Sequence, residues 1–176
     1  MKVRYLFFIL IFICLQSCEN EDFSISGQVL LSSEYDFKNY TIEGFIFESQ
    51  EFVPYSSTSD IVPDILVDQI RLVDGSLKAG FTSPGNNNGF ALVNSFDSFE
   101  NSMDFYNDYT EADSAMSFSP STDTLKLYQV WLFKSTDDHY AKIHVKEINT
   151  VQELEGQYLN VLLDYYYQQD GTPAFP

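Results

Sequence analysis

Between Tyr140 and Lys146 apolar and polar side chains alternate: Ala141, Ile143 and Val145 fall on one side of an extended strand, and Lys142, His144 and Lys146 fall on the other. This period of two predicts a half-buried strand with a solvated face, on which His144 is a surface residue. Leu125–Lys134 alternates in the same way, and the short polar stretch Ser135-Thr136-Asp137-Asp138 joins the two runs as a turn beside a surface His139. A third strand, Tyr158–Gln169, follows a polar link over residues 149–156 and extends this hairpin.

Earlier in the chain, Ser24–Leu31 and Thr41–Phe47 are rich in Ile, Val, Leu and Phe and predict strands on either side of a polar bend at residues 34–39. Residues 50–63 hold two prolines and a serine and threonine cluster, which predicts a loop or an irregular sheet edge. Asp64–Val73 reads as a strand that ends at the turn pair Asp74-Gly75. Leu77–Thr82 and Gly89–Val93 flank Ser83-Pro84-Gly85 and three asparagines, a pattern that predicts a hairpin with an exposed tip. One segment breaks the period: Phe96, Phe99, Met103 and Tyr106 recur at offsets of three and four, as on an amphipathic helix. Residues 108–121 then read as a polar, acidic loop. The expected fold class is all-β, an antiparallel sheet domain with one or two short helices.

The first residues follow a different logic. Lys2 and Arg4 precede Tyr5–Leu15, a run without charge that is too short to span a bilayer, since crossing the hydrocarbon core takes about 20 residues. Such a run reads as the apolar centre of a cleaved export signal. Leu15-Gln16-Ser17-Cys18 resembles a bacterial lipobox, which implies cleavage before Cys18 and acylation of its thiol; two or three chains at about 0.8 kcal/mol per methylene hold a protein firmly on a membrane. Residues 1–17 are therefore expected to be a lipoprotein signal peptide, 18–24 a lipidated acidic tether, and 25–176 a single β-rich domain. The acids of Glu19-Asn20-Glu21-Asp22 resemble tethers that send lipoproteins to the outer face of the outer membrane in two-membraned bacteria.

Charge narrows the partners. The whole chain carries a formal charge of −17, and losing the leader removes two bases and no acid. This field repels nucleic acid and anionic lipid. Both cysteines, Cys14 and Cys18, are consumed by the leader and the anchor, which leaves no disulfide and no thiol for catalysis or zinc. The core must rest on the 16 Phe, 12 Tyr and one Trp. No Gly-x-Ser-x-Gly elbow, EF-hand spacing or phosphate-cradling glycine loop is present, so no catalytic residue, no metal site and no enzymatic activity are expected.

Tyr140-Ala141-Lys142 and the closing Tyr165-Tyr166-Tyr167-Gln168-Gln169-Asp170-Gly171-Thr172, with Trp131 ahead of them, resemble the last strands of haem-binding surface lipoproteins of the HmuY type. The resemblance is clearest over residues 125–175. Upstream, Asp64-Ile65 stands where that family has Trp-Asp-Ile, with Pro63 in the tryptophan's place. The resemblance implies a membrane-anchored protein that captures haem or a related ligand and passes it to an outer-membrane receptor. Histidines or methionines hold the iron in that family. Since His139 and His144 lie in the closing hairpin, Met103 and Met116 are the candidate axial ligands, because a thioether coordinates haem iron well. The other reading is a structural or adhesive β-domain that binds a protein or glycan and has no haem site.

The anchor has a direct consequence. Cys18→Ala should leave the leader uncleaved and the chain unacylated in its producing cell, seen by mass spectrometry of the amino terminus and loss of lipid labelling.

Overall fold

The computed structural model describes residues 24–85, 89–113, 115–154 and 156–176; the leader, Cys18, most of the acidic tether and the three asparagines lie outside the described residues. No helix among the described residues is long and apolar enough to cross a membrane. Among the described residues the fold is antiparallel β with one short helix. Ten strands run as β1 (Ser24–Ser32), β2 (Tyr35–Asp36), β3 (Thr41–Ile46), β4 (Glu51–Tyr55), β5 (Leu66–Arg71), β6 (Leu77–Thr82), β7 (Gly89–Ser95), β8 (Gln129–Lys134), β9 (Tyr140–Glu153) and β10 (Gly156–Gln168), with α1 (Phe99–Asp108) between β7 and β8.

A five-stranded sheet in the order β1-β10-β9-β8-β7 forms the platform, and two smaller sheets, β2-β3-β4 and β5-β6, are joined by a bridge from Phe45 to Ile65. Together the small sheets cover one face of the platform. There Val29 and Leu31 of β1, Ile143 and Val145 of β9 and Leu163, Tyr165 and Tyr167 of β10 meet Phe45, Phe47, Ile65 and Phe81. Phe47 lies at the centre of this aromatic core, with its ring 5.3 Å from Phe133, 5.4 Å from Tyr165 and stacked 5.8 Å from Tyr167.

A register irregularity at Leu162/Leu163 pairs those residues with Glu147 and Val145, leaving Lys146 as an extra residue in β9. Its effect is on side-chain direction. Strict alternation would turn Ile148 away from the side that Val145 faces, but the bulge restores it to the core.

Several elements differ from the sequence reading, and the reasons are non-local. β6 and β7 do not pair with each other: β6 pairs with β5, and β7 pairs with β8. Part of the expected polar loop runs between them instead, with Phe90 and Ser119 exchanging both backbone bonds, and Ser83, Thr122 and Leu125 bonding to Pro120, Phe81 and Ala79. The stretch containing Pro54 forms β4, an edge strand, where a missing donor costs no ladder bond. β8 starts only at Gln129, because Leu125 is buried against the β5-β6 sheet and Tyr128 takes a left-handed φ of 64°. The expected polar link of residues 149–156 is mostly strand, and β9 and β10 form one long hairpin with Glu153 opposite Gly156.

A helix forms over Phe99, Met103 and Tyr106 of the predicted pattern, while Phe96 lies ahead of its cap. Ser98 caps it by accepting from the Asn101 N–H at 3.3 Å, and Glu100 sits in the first turn, where the helix dipole favours an acid. Ser102 and Tyr106 are its buried positions and lie on the platform's second face. That face was expected to be solvated.

The contact between the two small sheets has little slack at Gly44, where a Cβ would collide with Pro63 and Leu66. Gly44→Ala should cost about 1–3 kcal/mol in urea unfolding by overpacking, with little change in the denaturant slope.

Candidate functional site

The alternation in β9 conceals a second buried layer. Lys142 and His144 are exposed only 3% and 0%, because α1 and the C-terminal residues cover the face they point to. The Lys142 ammonium donates to the Tyr109 carbonyl at 2.9 Å and stands 4.7 Å from the Tyr106 ring centroid, 5.3 Å from Phe175 and 5.8 Å from Tyr166. Burial pushes its pKa down to about 8. The backbone holds this cover in place, since Ala112 donates to Pro173 and Phe175 donates to Thr110.

His144 lies between Phe99 and Tyr106, with ring centroids 5.8 and 5.6 Å away. Its Nε2 is 2.8 Å from Ser102 Oγ, whose one proton goes to the Phe99 carbonyl. That arrangement assigns the proton to Nε2 and leaves Nδ1 as a buried acceptor with no hydrogen-bond partner. Burial lowers its pKa despite the opposing charge of Asp164. His144 is therefore a core residue and not the surface histidine expected. His139 is half-buried, with Nδ1 3.0 Å from the Tyr167 hydroxyl. Asp64 caps the core's edge by accepting from the Phe47 N–H at 2.9 Å, and burial raises its carboxyl to about 6.

Met103 and Met116 both belong to the α1 side of the platform. Met103 is half-buried on the helix, and Met116 packs on a small cluster of Ala112, Leu132 and Phe175. Neither lines any of the three clefts described next.

Two of these clefts adjoin the β2-β3 hairpin. The first, about 610 Å³, is lined by Tyr35, Phe37 and Pro54 together with Glu34, Asp36, Lys38 and Glu43. The second, about 550 Å³, has Tyr35, Tyr40, Tyr55, Ile42 and Leu66 with Asn39, Ser56, Ser57 and Thr58, and no charged side chain. The turn between them is rigid for its size: the Asp36 carboxylate accepts from the Lys38 and Asn39 backbone and from the Asn39 amide, and these bonds hold its pKa below the usual range. Tyr40 closes the turn with φ of 59°, rare for an aromatic residue, and its N–H bonds to Asp36 O at 2.7 Å. The third cleft, about 750 Å³, lies where residues 119–126 cross between β6 and β7, with Phe90 and Trp131 in its lining. Sequence reasoning missed the hairpin clefts because it took residues 34–39 as a plain polar bend, although Tyr35, Phe37 and Tyr40 were the available signal.

No protein-family model matches the chain, and no curated protein matches it. Among solved structures it is similar to an apo HmuY analog from Tannerella forsythia, at 10% identity and a TM-score of 0.40, over 82% of this chain and 96% of that one. A likeness this faint assigns neither a family nor a ligand.

Lys142 gives a pH signature. Below about pH 8 folded and unfolded chains both hold its proton; between 8 and 10.5 the folded chain releases it first, so its burial costs less as pH rises. Relative to Lys142→Met, the wild-type chain should gain on the order of 2 kcal/mol across that window in denaturant titrations.

Proposed function

We propose that the chain is a lipid-anchored surface protein of a two-membraned bacterium whose β-domain captures a flat, ring-bearing ligand, haem or a related molecule, for delivery to an outer-membrane receptor. The observation that carries the reading is the convergence of Tyr35, Phe37, Tyr40 and Tyr55 on two adjoining open clefts. Their volumes lie within the roughly 300–1,000 Å³ of small-molecule sites, and exposed aromatic faces offer stacking area to a planar ring. The lipobox and the HmuY-like closing strands support the same setting. Haem bound in the neutral cleft would take its iron ligand from a tyrosine oxygen, a ligand known for haem iron, whereas a site on the α1 side would use Met103 or Met116.

One observation favours the alternative of a glycan- or protein-binding adhesive domain. The second cleft combines three tyrosines with an amide and three hydroxyl side chains and offers no cation to a propionate. This set also suits the hydroxyls and apolar faces of a sugar.

Titrating the full chain with ferric and ferrous haem separates the two. Capture in the neutral cleft predicts a shifted, sharpened Soret band, weakened about tenfold or more by Tyr40→Ala and unchanged by Met103→Ala or Met116→Ala. Loss of the shift in a methionine variant moves the site to the α1 side, and no shift with wild-type protein rejects haem capture.

A further inference from the structure

Three hairpins end at the same end of the molecule, and each carries an apolar side chain into solvent. Ser33 marks their common root: its backbone N–H donates to Leu159 O at 2.8 Å, and its hydroxyl accepts from Leu159 N at 2.8 Å and Gln69 Nε2 at 3.0 Å. From there the β2-β3 turn presents Phe37 and Tyr40, 66% and 70% exposed, the β5-β6 turn presents a fully exposed Val73, and the β9-β10 turn presents a fully exposed Leu154. The pairing register fixes the common direction. β1 runs toward Ser33, and just beyond it β2 pairs antiparallel with β3, so the residue 37–40 turn lies at that end; β5 runs past Gln69 toward Val73, and β9 ends at Glu153. Hairpin turns need no apolar residue at their tips and favour Gly, Asn and Asp.

We infer that these tips are a membrane-docking surface for a bilayer with zwitterionic headgroups. Tyrosine at the first tip suits the depth of the headgroups, and single apolar side chains on separate turns suit a soft, flat surface that needs no matching hollows. Charge sets the lipid class. Charged residues of both signs flank the tips, Glu34, Asp36, Asp74 and Glu153 with Lys38, Arg71 and Lys78, which complements paired positive and negative headgroup charges, while the chain's −17 opposes an anionic surface.

Reach sets which membrane. Residues 18–24 span at most about 21 Å, whereas β1 alone is about 30 Å long. With the anchor proposed above at the start of β1, the platform cannot stand tip-down on the membrane that holds it, and with its strands upright on the anchored end the tips face an opposing one.

The test couples the full chain, as purified from its producing cells, to a sensor surface through its N-terminal end and passes phosphatidylcholine or phosphatidylglycerol vesicles over it. Saturable binding of phosphatidylcholine vesicles is expected, weaker binding of phosphatidylglycerol vesicles, and a loss of about tenfold for each of Val73→Asp and Leu154→Asp at an unchanged thermal midpoint. No binding of phosphatidylcholine vesicles, binding that survives the double variant, or binding only to vesicles that carry protein overturns the inference. Val73 and Leu154 line none of the three clefts, so haem titration of the same variants reads ligand capture separately.

Discussion

Strand β8 and the first part of β9 are buried on both faces, and the rest of the molecule is arranged by that requirement. A sheet packed on one side only can leave its other side to water. Here Phe133, Ile143 and Leu163 meet the small sheets, while Leu132, Lys142 and His144 need cover from α1 and the C-terminal residues. The cost of that second layer is electrostatic, since an ammonium and an imidazole must leave water. Three aromatic rings and a carbonyl oxygen around Lys142, and Ser102 beside His144, offset part of it.

Local pattern was enough to find most strands and the helix, because alternation and helical spacing are properties of neighbouring residues. Partner choice was not legible in the same way. Leu77–Thr82 and Gly89–Val93 look like the two arms of a hairpin, yet the segment around Ser119 and Thr122, some thirty residues on, takes the edges they would have shared. His144 was misread for a related reason. A lysine–histidine–lysine face is polar in isolation, and only the aromatic side of a helix forty residues earlier makes it an interior. Tyr106 on that helix did carry a hint, since so large a ring on the apolar side of a helix needs cover. The acylation site and the methionine ligands rest on motif and resemblance, the first lying outside the described residues.

The candidate hairpin clefts and the exposed apolar tips gather at the end marked by Ser33, while the buried lysine and histidine hold the helix side together. This separation places Tyr40, with its left-handed φ, and the exposed rings on hydrogen-bonded turns carried by the packed platform, as is common where rigid strands support binding loops.

The pairing of β1 with β10 joins the first strand of the domain to the last. During synthesis, at about 5–20 residues per second, β1 emerges many seconds before the strand that completes its ladder. Its hydrogen-bonding edge and the side chains of Val29 and Leu31 stay open throughout that interval. A chain built this way closes only when its final strand arrives, and until then it depends on whatever shields a nascent edge from its neighbours.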